Sequence, residues 1–155
     1  MKWKIPPRIK VHEALGCIAD KRIIVKDNEA EVFSSSRGKS YSVKYDPKKN
    51  AIMANDNGSY WVGYLGYPSI AFLMLKGVVG YNPTYAEALK GIPWKDVNQK
   101  FKNDFGKTEK YVNDLVKTKG VSVEELDKEI DRIYEQVKKL DLEMLGEKTK
   151  PPEGY

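Results

Sequence analysis

Few side chains in this sequence could carry out nucleophilic or metal chemistry. Among the 155 residues there is one histidine, His12, and one cysteine, Cys17. They lie five positions apart on a predicted helix, which is about 500° around its axis, so they do not share a face. A zinc site needs more nitrogen and sulfur ligands than these two residues supply. The sequence therefore predicts no metal site and no cofactor.

Two groups of titratable residues remain as candidates for acid–base catalysis. His12 beside Glu13 could form a proton-transfer pair, although a surface histidine on an amphipathic helix commonly has a structural role. The acidic residues of segment 124–131 alternate with Lys128 and Arg132, and we expect them all on the solvent side of a helix. No glycine-rich phosphate loop is present. We expect a non-catalytic protein, unless a cleft gathers titratable groups from distant segments.

A basic and aromatic segment is the strongest candidate for function. Cations surround tyrosine and tryptophan rings between positions 37 and 67, and a β-surface that exposes rings beside cations can stack bases and hold phosphates. The alternative is that the rings lie in the core, because strands favour aromatic residues. Tyr60 and Trp61 are adjacent, so in a strand they point to opposite faces and one is exposed. The candidate nucleic-acid-binding residues are Arg37, Lys39, Tyr41, Lys44, Tyr45, Lys48, Lys49 and Trp61.

The net charge of +5 is unevenly distributed. Lys and Arg exceed Asp and Glu by 5 in residues 1–58 and by 3 in residues 59–110, whereas residues 111–155 have a net charge of −3. The basic front could steer a phosphate-bearing partner, or the two ends could attract each other or a second copy. The abundance of Lys, Glu, Ile, Val and Tyr is typical of thermophile proteins, including archaeal ones. Without a signal peptide or a membrane-spanning run, we expect a cytoplasmic protein.

Alternating and β-branched runs predict an antiparallel meander of four to five strands. The hairpin signals are Asp27-Asn28 and, above all, Asn57-Gly58, whose residues tolerate the positive φ of a two-residue turn. A short amphipathic helix with Val11, Leu15 and Ile18 on one face precedes the meander. The strands are predicted at 22–26, 31–35, 41–45 and 51–54.

An apolar helix should cover the meander. Pro68 suits the first turn of this helix and Gly77 the left-handed residue past its end, which places the helix at 69–76. Further helices are predicted at 84–89, 94–103 and 107–117, and Ser122 with Glu125 forms a capping box that begins a long one. The expected fold class is α+β, with a β-containing portion at 1–83, a helical portion at 84–146 and a disordered tail at 147–155.

The long C-terminal helix carries an apolar seam with alternating spacings of 3 and 4. This seam either packs on the body of the protein or forms a surface for a dimer or a protein partner. Self-association or protein interaction is thus the alternative to nucleic-acid binding. The seam consists of Leu126, Ile130, Ile133, Val137, Leu140 and Met144.

Residues 34–77 place several short strands before the helix start Gly66-Tyr67-Pro68. This order resembles the SWIM-type zinc finger, in which a Cys-x-Cys hairpin precedes a Gly-x-Pro-Cys-x-His helix start. All four ligands are absent here, and the matching positions hold Ile52, Ala54, Ser69 and Ala71. The resemblance implies that apolar packing of hairpin on helix replaces the metal, and that the segment binds nucleic acid or protein.

Overall fold

A five-stranded sheet surrounded by helices forms an α+β fold in the computed structural model, which describes residues 1–153. The strands are adjacent in chain order, and the antiparallel meander is confirmed for the first four. The fifth strand pairs parallel to the fourth. The strands are β1 (Ile23–Lys26), β2 (Glu29–Phe33), β3 (Ser40–Asp46), β4 (Ala51–Ala54) and β5 (Glu143–Met144).

Six α-helices accompany the sheet within residues 1–153, and most lie in the C-terminal half, as expected. None of them is long and apolar enough to span a bilayer. The helix that contains Pro68 packs on the first helix and on strands β1, β3 and β4. The helices are α1 (Ile9–Ala19), α2 (Tyr67–Leu75), α3 (Pro83–Ala88), α4 (Trp94–Lys100), α5 (Phe105–Thr118) and α6 (Val123–Lys138).

The two predicted hairpin turns have different outcomes. Asp27-Asn28 joins β1 to β2, with Lys26 paired to Glu29 and Asp27 at φ 54°. Asn57, in contrast, has φ −59° and precedes a π-helical turn at Gly58–Val62. Both common two-residue hairpin turns, types I′ and II′, need positive φ at the first central residue, so the prediction for Asn57-Gly58 is wrong.

The apolar core of the segment that resembles a zinc finger is confirmed. Ile52, Ala54 and Ala71 are each at most 2% exposed and belong to one core cluster with Phe72. These residues stand at positions where the resemblance would place metal ligands. Among residues 1–153, no three His, Cys, Asp or Glu side chains are grouped so that they could hold a metal ion.

The C-terminal seam lies inside the protein. Its first four members are buried in the common core, which is the first of the two alternatives, packing on the body of the protein. Helix α6 ends at Lys138, which places the half-buried Leu140 beyond the helix and Met144 on β5. The buried seam residues are Leu126, Ile130, Ile133 and Val137.

The predicted disordered tail contacts the body of the protein where the structure describes it. Residues 147–153 form no helix or strand, but Pro151 is buried, and the Lys148 ammonium donates to the Tyr60 carbonyl at 3.4 Å. Gly154 and Tyr155, the last two residues of the predicted tail, lie outside the described residues.

Candidate ligand-binding cleft

A cleft of about 620 Å³ opens between α1, the β2–β3 loop, the π-helical turn and α4. It gathers titratable groups that are far apart in the sequence, which is an arrangement that an enzyme would need. Its charged residues are Lys10, Glu13, Arg22, Lys39, Asp56 and Lys95. Its aromatic residues are Tyr41, Trp61, Tyr64, Tyr67, Trp94 and Phe105.

A buried ion pair between Lys10 and Glu13 forms part of the cleft wall. The three-residue spacing places both side chains on one face of α1, and Lys10 Nζ lies 2.8 Å from Glu13 Oε2. Glu13 Oε1 also accepts a hydrogen bond from Asn98 Nδ2 at 3.2 Å. Burial is the largest single influence and opposes the charge of Lys10, but the combined attraction of Glu13, Tyr64 and Asp56 exceeds it and raises the pKa of Lys10. The ammonium group is therefore charged at neutral pH.

The π-helical turn holds the buried carboxylate of Asp56. Ser59 donates to it from its hydroxyl at 2.6 Å and from its backbone N–H at 3.3 Å. Burial raises the pKa of Asp56, and the hydrogen bonds from Ser59 oppose this shift. A Cβ atom on Gly66 would lie 2.0 Å from Asp56 Oδ2, and one on Gly58 would lie 2.3 Å from the Tyr64 ring. Both glycines are thus needed for the close packing of this wall.

Arg22 borders the cleft, and two of its guanidinium nitrogens donate hydrogen bonds within the protein. Its Nη1 donates to the Phe33 carbonyl at 2.8 Å, and its Nε donates to Asp20 Oδ2 at 3.2 Å. The guanidinium carbon lies 5.9 Å from the centre of the Tyr67 ring, a cation–π distance. Burial raises the pKa of Tyr67 well above its usual value, so its phenol is neutral.

Lys39 and Lys95 bring two positive charges to the cleft from separate segments. Two adjacent serines hold their backbones: Ser34 Oγ accepts from the Lys39 N–H at 3.2 Å, and Ser35 Oγ accepts from the Lys95 N–H at 2.9 Å. Burial, and then the positive charge of Lys39, lower the pKa of Lys95. The lining as a whole has four cations against two carboxylates.

Three of the eight candidate nucleic-acid-binding residues line the cleft: Lys39, Tyr41 and Trp61. Tyr41 is buried on the inner face of β3, whereas Trp61 is 67% exposed. Tyr60 is half-buried, and its ring meets that of Trp61 edge-on at 4.7 Å between centroids. These two rings stand on a helical turn and not on opposite faces of a strand.

The other five candidates do not join them on one exposed surface. Tyr45 is half-buried and packs edge-on against the core residue Phe72, with 5.7 Å between ring centroids. Arg37 donates to the Asp20 carbonyl at 3.1 Å. Lys44 is exposed on the face of β3 opposite Tyr41 and Tyr45. Lys48 and Lys49 lie in the turn after β3. The expected single basic and aromatic β-surface is therefore not formed.

The two residues of the predicted proton-transfer pair, His12 and Glu13, do not face the same site. His12 is fully buried and does not line the cleft, while its neighbour Glu13 does. Burial, and then the charge of Arg8, lower the pKa of His12 to about 3, so this ring is neutral.

The expectation that all acidic residues of segment 124–131 face solvent fails at Glu129, which is 7% exposed and accepts from the Asn82 N–H at 2.6 Å.

Lys10, Asp56, Asn98 and Lys95 were not predicted as members of a site. Lys10 and Glu13 are charged residues among the mostly apolar residues of α1, which was the one available signal. An ion pair with this spacing is also typical of helix surfaces, so the signal alone does not distinguish a cleft from solvent.

One family matches this chain. The family model described as Uncharacterised conserved protein UCP014422 covers residues 3–143, which include every residue of the cleft lining. No curated protein and no solved structure matches the chain. Because the match extends over nearly the whole sequence, the chain belongs to the UCP014422 family of conserved proteins.

Proposed function

We propose that this protein binds a small molecule that combines a flat ring with a negative charge. The observation that supports this proposal is the composition of one cavity, which is lined by six aromatic side chains and by twice as many cations as carboxylates. Its volume of about 620 Å³ lies within the range of about 300–1,000 Å³ that is usual for small-molecule sites.

The rings favour a ligand with a flat apolar face. Tyr64 and Tyr67 are partly buried in the wall, and Trp61 is largely exposed. Burial raises the pKa values of Tyr41 and Tyr64, so their phenols are neutral and can donate hydrogen bonds. Aromatic walls with a few fixed polar groups are what small-molecule sites commonly present.

A nucleic-acid strand is the weaker candidate for the partner. A protein that binds single-stranded nucleic acid needs a row of cations along the phosphate backbone of that strand and exposed rings that stack on successive bases. Here Tyr41 and Tyr45 point inward, and Lys44, Lys48 and Lys49 lie away from the cleft. We therefore keep the stacking rings and the anion-binding cations proposed from the sequence, but for a small ring-bearing molecule and not for a polymer.

Titration calorimetry at low salt tests the proposal. The probes are nucleoside monophosphates, aromatic carboxylates, inorganic phosphate and a single-stranded oligonucleotide of about 20 nucleotides. We expect saturable 1:1 binding of at least one ring-bearing anion, weakened about tenfold by Trp61→Ala because stacking on one ring contributes about 1–3 kcal/mol.

Lys44→Ala is the control, because Lys44 is exposed on β3 and does not line the cleft. It should leave small-molecule binding unchanged. Tighter binding of the oligonucleotide, weakened by Lys44→Ala, would instead support the strand-binding function. If no ring-bearing anion binds, the proposal is wrong.

A further inference from the structure

We infer that the negative group of the ligand is a carboxylate, bound by Arg22 and Lys39 at the end of the cleft beside β2. This inference rests on the proposed function, because it assigns a chemical class to the ring-bearing anion and names the residues that select it. The other common anionic group, a phosphate, has more charge than this end of the cleft neutralises.

The Arg22 guanidinium has one nitrogen that no other group of the described protein uses. Its side chain is only 3% exposed and lines the cleft. Nε and Nη1 donate to Asp20 and to the Phe33 carbonyl, whereas Nη2 has no hydrogen-bond partner within residues 1–153. Nη2 also keeps some accessible surface. Because the rest of the side chain is buried, the N–H groups of Nη2 are available to a ligand in the cleft.

The same guanidinium is held in place before any ligand binds. The hydrogen bonds to Asp20 and Phe33 fix its position, and the Tyr67 ring lies 5.9 Å from its central carbon. An arginine that is fixed in this way loses little side-chain entropy on binding. Its donors lie in one plane, which is the geometry that matches the two oxygens of a carboxylate.

Lys39 adds a second positive charge close to Arg22. The end of β2 links the two residues, because Arg22 donates to the Phe33 carbonyl and the next residue, Ser34, pairs with the backbone of Lys39. Lys39 is half-buried and lines the cleft. Within residues 1–153, no carboxylate lies within 4 Å of its ammonium group. An anion bound at Arg22 therefore meets a lysine that has no ion-pair partner among these residues.

The charges at this end of the cleft match a carboxylate. Arg22 and Lys39 contribute two positive charges, and Asp20, 3.2 Å from Arg22 Nε, contributes one negative charge. Lys95 lines the cleft nearby but attracts the adjacent Asp96, so these two residues add no net charge. One positive charge remains, and a carboxylate neutralises it. A phosphate monoester has a charge of about −1.5 to −2 at pH 7 and would leave buried negative charge unpaired, which is unfavourable.

Calorimetry with three molecules that share a naphthalene ring tests the inference. The molecules are 2-naphthoate, 2-naphthamide and 2-naphthyl phosphate, and benzoate, benzamide and phenyl phosphate repeat the comparison with a smaller ring. We expect the carboxylate to bind at least about tenfold tighter than the amide, because hydrogen bonds between ionised groups are about twice as strong as neutral ones. The phosphate should bind no tighter than the carboxylate with the same ring.

Two substitutions test the residues that we assign to the carboxylate. Arg22→Lys keeps the positive charge but removes the planar set of donors, so it should remove most of the ratio of carboxylate to amide affinity. Lys39→Met should also lower this ratio, because it removes the charge that Asp20 does not balance. Neither variant should change the affinity for the amide. Lys44→Met, outside the cleft, is the control and should change neither affinity.

Three outcomes would overturn the inference while leaving the proposed function intact. One is that a phosphate binds tighter than the carboxylate with the same ring, or that only nucleoside monophosphates bind. Another is that the amide binds as tightly as the carboxylate. The third is that Arg22→Lys or Lys39→Met leaves the ratio of carboxylate to amide affinity unchanged. If no ring-bearing anion binds at all, the proposed function fails and this inference fails with it.

A measurement on the unsubstituted protein covers the case in which Arg22→Lys disturbs the fold. The chain has four arginines, so their Nε–H signals can be resolved by NMR. Saturation with the carboxylate should shift the Arg22 signal and leave that of Arg8 unchanged, because Arg8 is engaged by carboxylates of the protein and does not line the cleft. An unchanged Arg22 signal at saturation would overturn the assignment of the carboxylate to this residue.

Discussion

Arg8 and Lys10, two positions apart at the start of α1, each belong to a charged cluster, and the two clusters have different surroundings. The Arg8 guanidinium bonds to Asp131 at 2.9 Å, to Asp127 at 3.4 Å and to Glu109, and so joins the start of α1 to α5 and α6. The Lys10–Glu13 pair is more deeply buried, with side-chain exposures of 13% and 5%, but it borders the cleft.

The comparison shows that burial of charge does not by itself indicate a binding site. All three nitrogens of the Arg8 guanidinium are hydrogen-bonded, and Arg8 is not among the residues that line the cleft. Lys10 and Glu13 instead line about 620 Å³ of open space. We therefore expect the Arg8 cluster to contribute mainly to stability, and we propose that the Lys10–Glu13 pair contributes to ligand recognition.

Arg8→Met tests the structural side of this comparison and has the largest expected effect. It leaves Glu109, Asp127 and Asp131 close together without their cation. Hydrogen bonds to charged groups contribute about 1.5–3 kcal/mol, so we expect the free energy of unfolding to fall by about 2–3 kcal/mol. Urea denaturation measures this loss. Lys107→Met, which removes an exposed lysine 4.0 Å from Asp104, is the control and should change little.

Ligand binding should survive Arg8→Met in the protein that remains folded. If the affinity for the ring-bearing anion falls as much as the stability does, the two clusters are not separate in function and the comparison fails.

His12 allows a test of whether the Arg8 cluster excludes water. The ring is fully buried with Nε2 4.0 Å from Glu109 Oε1, and it also lies near Arg8 and Asp131. Its pKa is about 3 in the folded protein and about 6.5 in the unfolded chain. The unfolded state therefore binds more protons below pH 6.5, so stability present above this pH is lost on acidification towards pH 3.

Between pH 7 and pH 5 this linkage should lower the free energy of unfolding by about 2 kcal/mol. Urea denaturation at both pH values measures the difference, and His12→Gln is the control in which most of the difference should disappear. An equally steep dependence on pH in His12→Gln would show that other groups cause it.

Gly16 and Gly106 form a matched pair that tests the packing of the cleft wall. A Cβ atom on Gly16 in α1 would lie 2.8 Å from Trp94 Nε1 and 3.1 Å from the Leu89 carbonyl oxygen. Overpacking costs about 1–3 kcal/mol and helix propensity returns up to about 1 kcal/mol, so we expect Gly16→Ala to destabilise by about 1 kcal/mol.

Gly106→Ala in α5 should have the opposite sign. The nearest atom to its added Cβ is Asp104 Oδ1 at 3.5 Å, an ordinary contact, so we expect a gain of about 0.4–1 kcal/mol. Thermal unfolding of both variants measures the contrast. Because Trp94 lines the cleft, only Gly16→Ala should also weaken ligand binding; equal effects of both variants on binding would contradict this packing.

Elements with local signals could be predicted from the sequence. Ser122 Oγ accepts from the Glu125 N–H at 3.3 Å, so one half of the predicted capping box is present, and Gly77 has φ 77° just beyond α2. Strand β5 could not be predicted in this way. It consists of two residues that pair with Ala51 and Ile52, about 90 positions earlier, and no local pattern specifies such a contact.

The cleft could be predicted only in part, because its residues converge through tertiary packing. Tyr41 and Trp61 were candidates on account of their residue types. Tyr41 lies on a strand as predicted but faces inward, and Trp61 was expected on a strand after a hairpin turn that Asn57-Gly58 does not form. The buried Asp56 draws the Ser59 N–H and hydroxyl into a helical turn instead. The hydrogen bonds to the Asp56 carboxylate thus favour a helical turn at Gly58–Val62 over the predicted hairpin.

Glu13→Gln has the smallest expected effect on stability and tests the functional side of the comparison. The change keeps the shape of the side chain and removes its charge, which leaves the Lys10 ammonium without its ion-pair partner. The amide oxygen that replaces the carboxylate can still accept from this ammonium, and water in the cleft can solvate it, so we expect the free energy of unfolding to fall by less than about 1 kcal/mol. Ligand affinity should fall more than stability does, which is the reverse of Arg8→Met. A loss of stability as large as that of Arg8→Met would mean that the Lys10–Glu13 pair is closed to water, and that it holds α1 in place instead of reading a ligand.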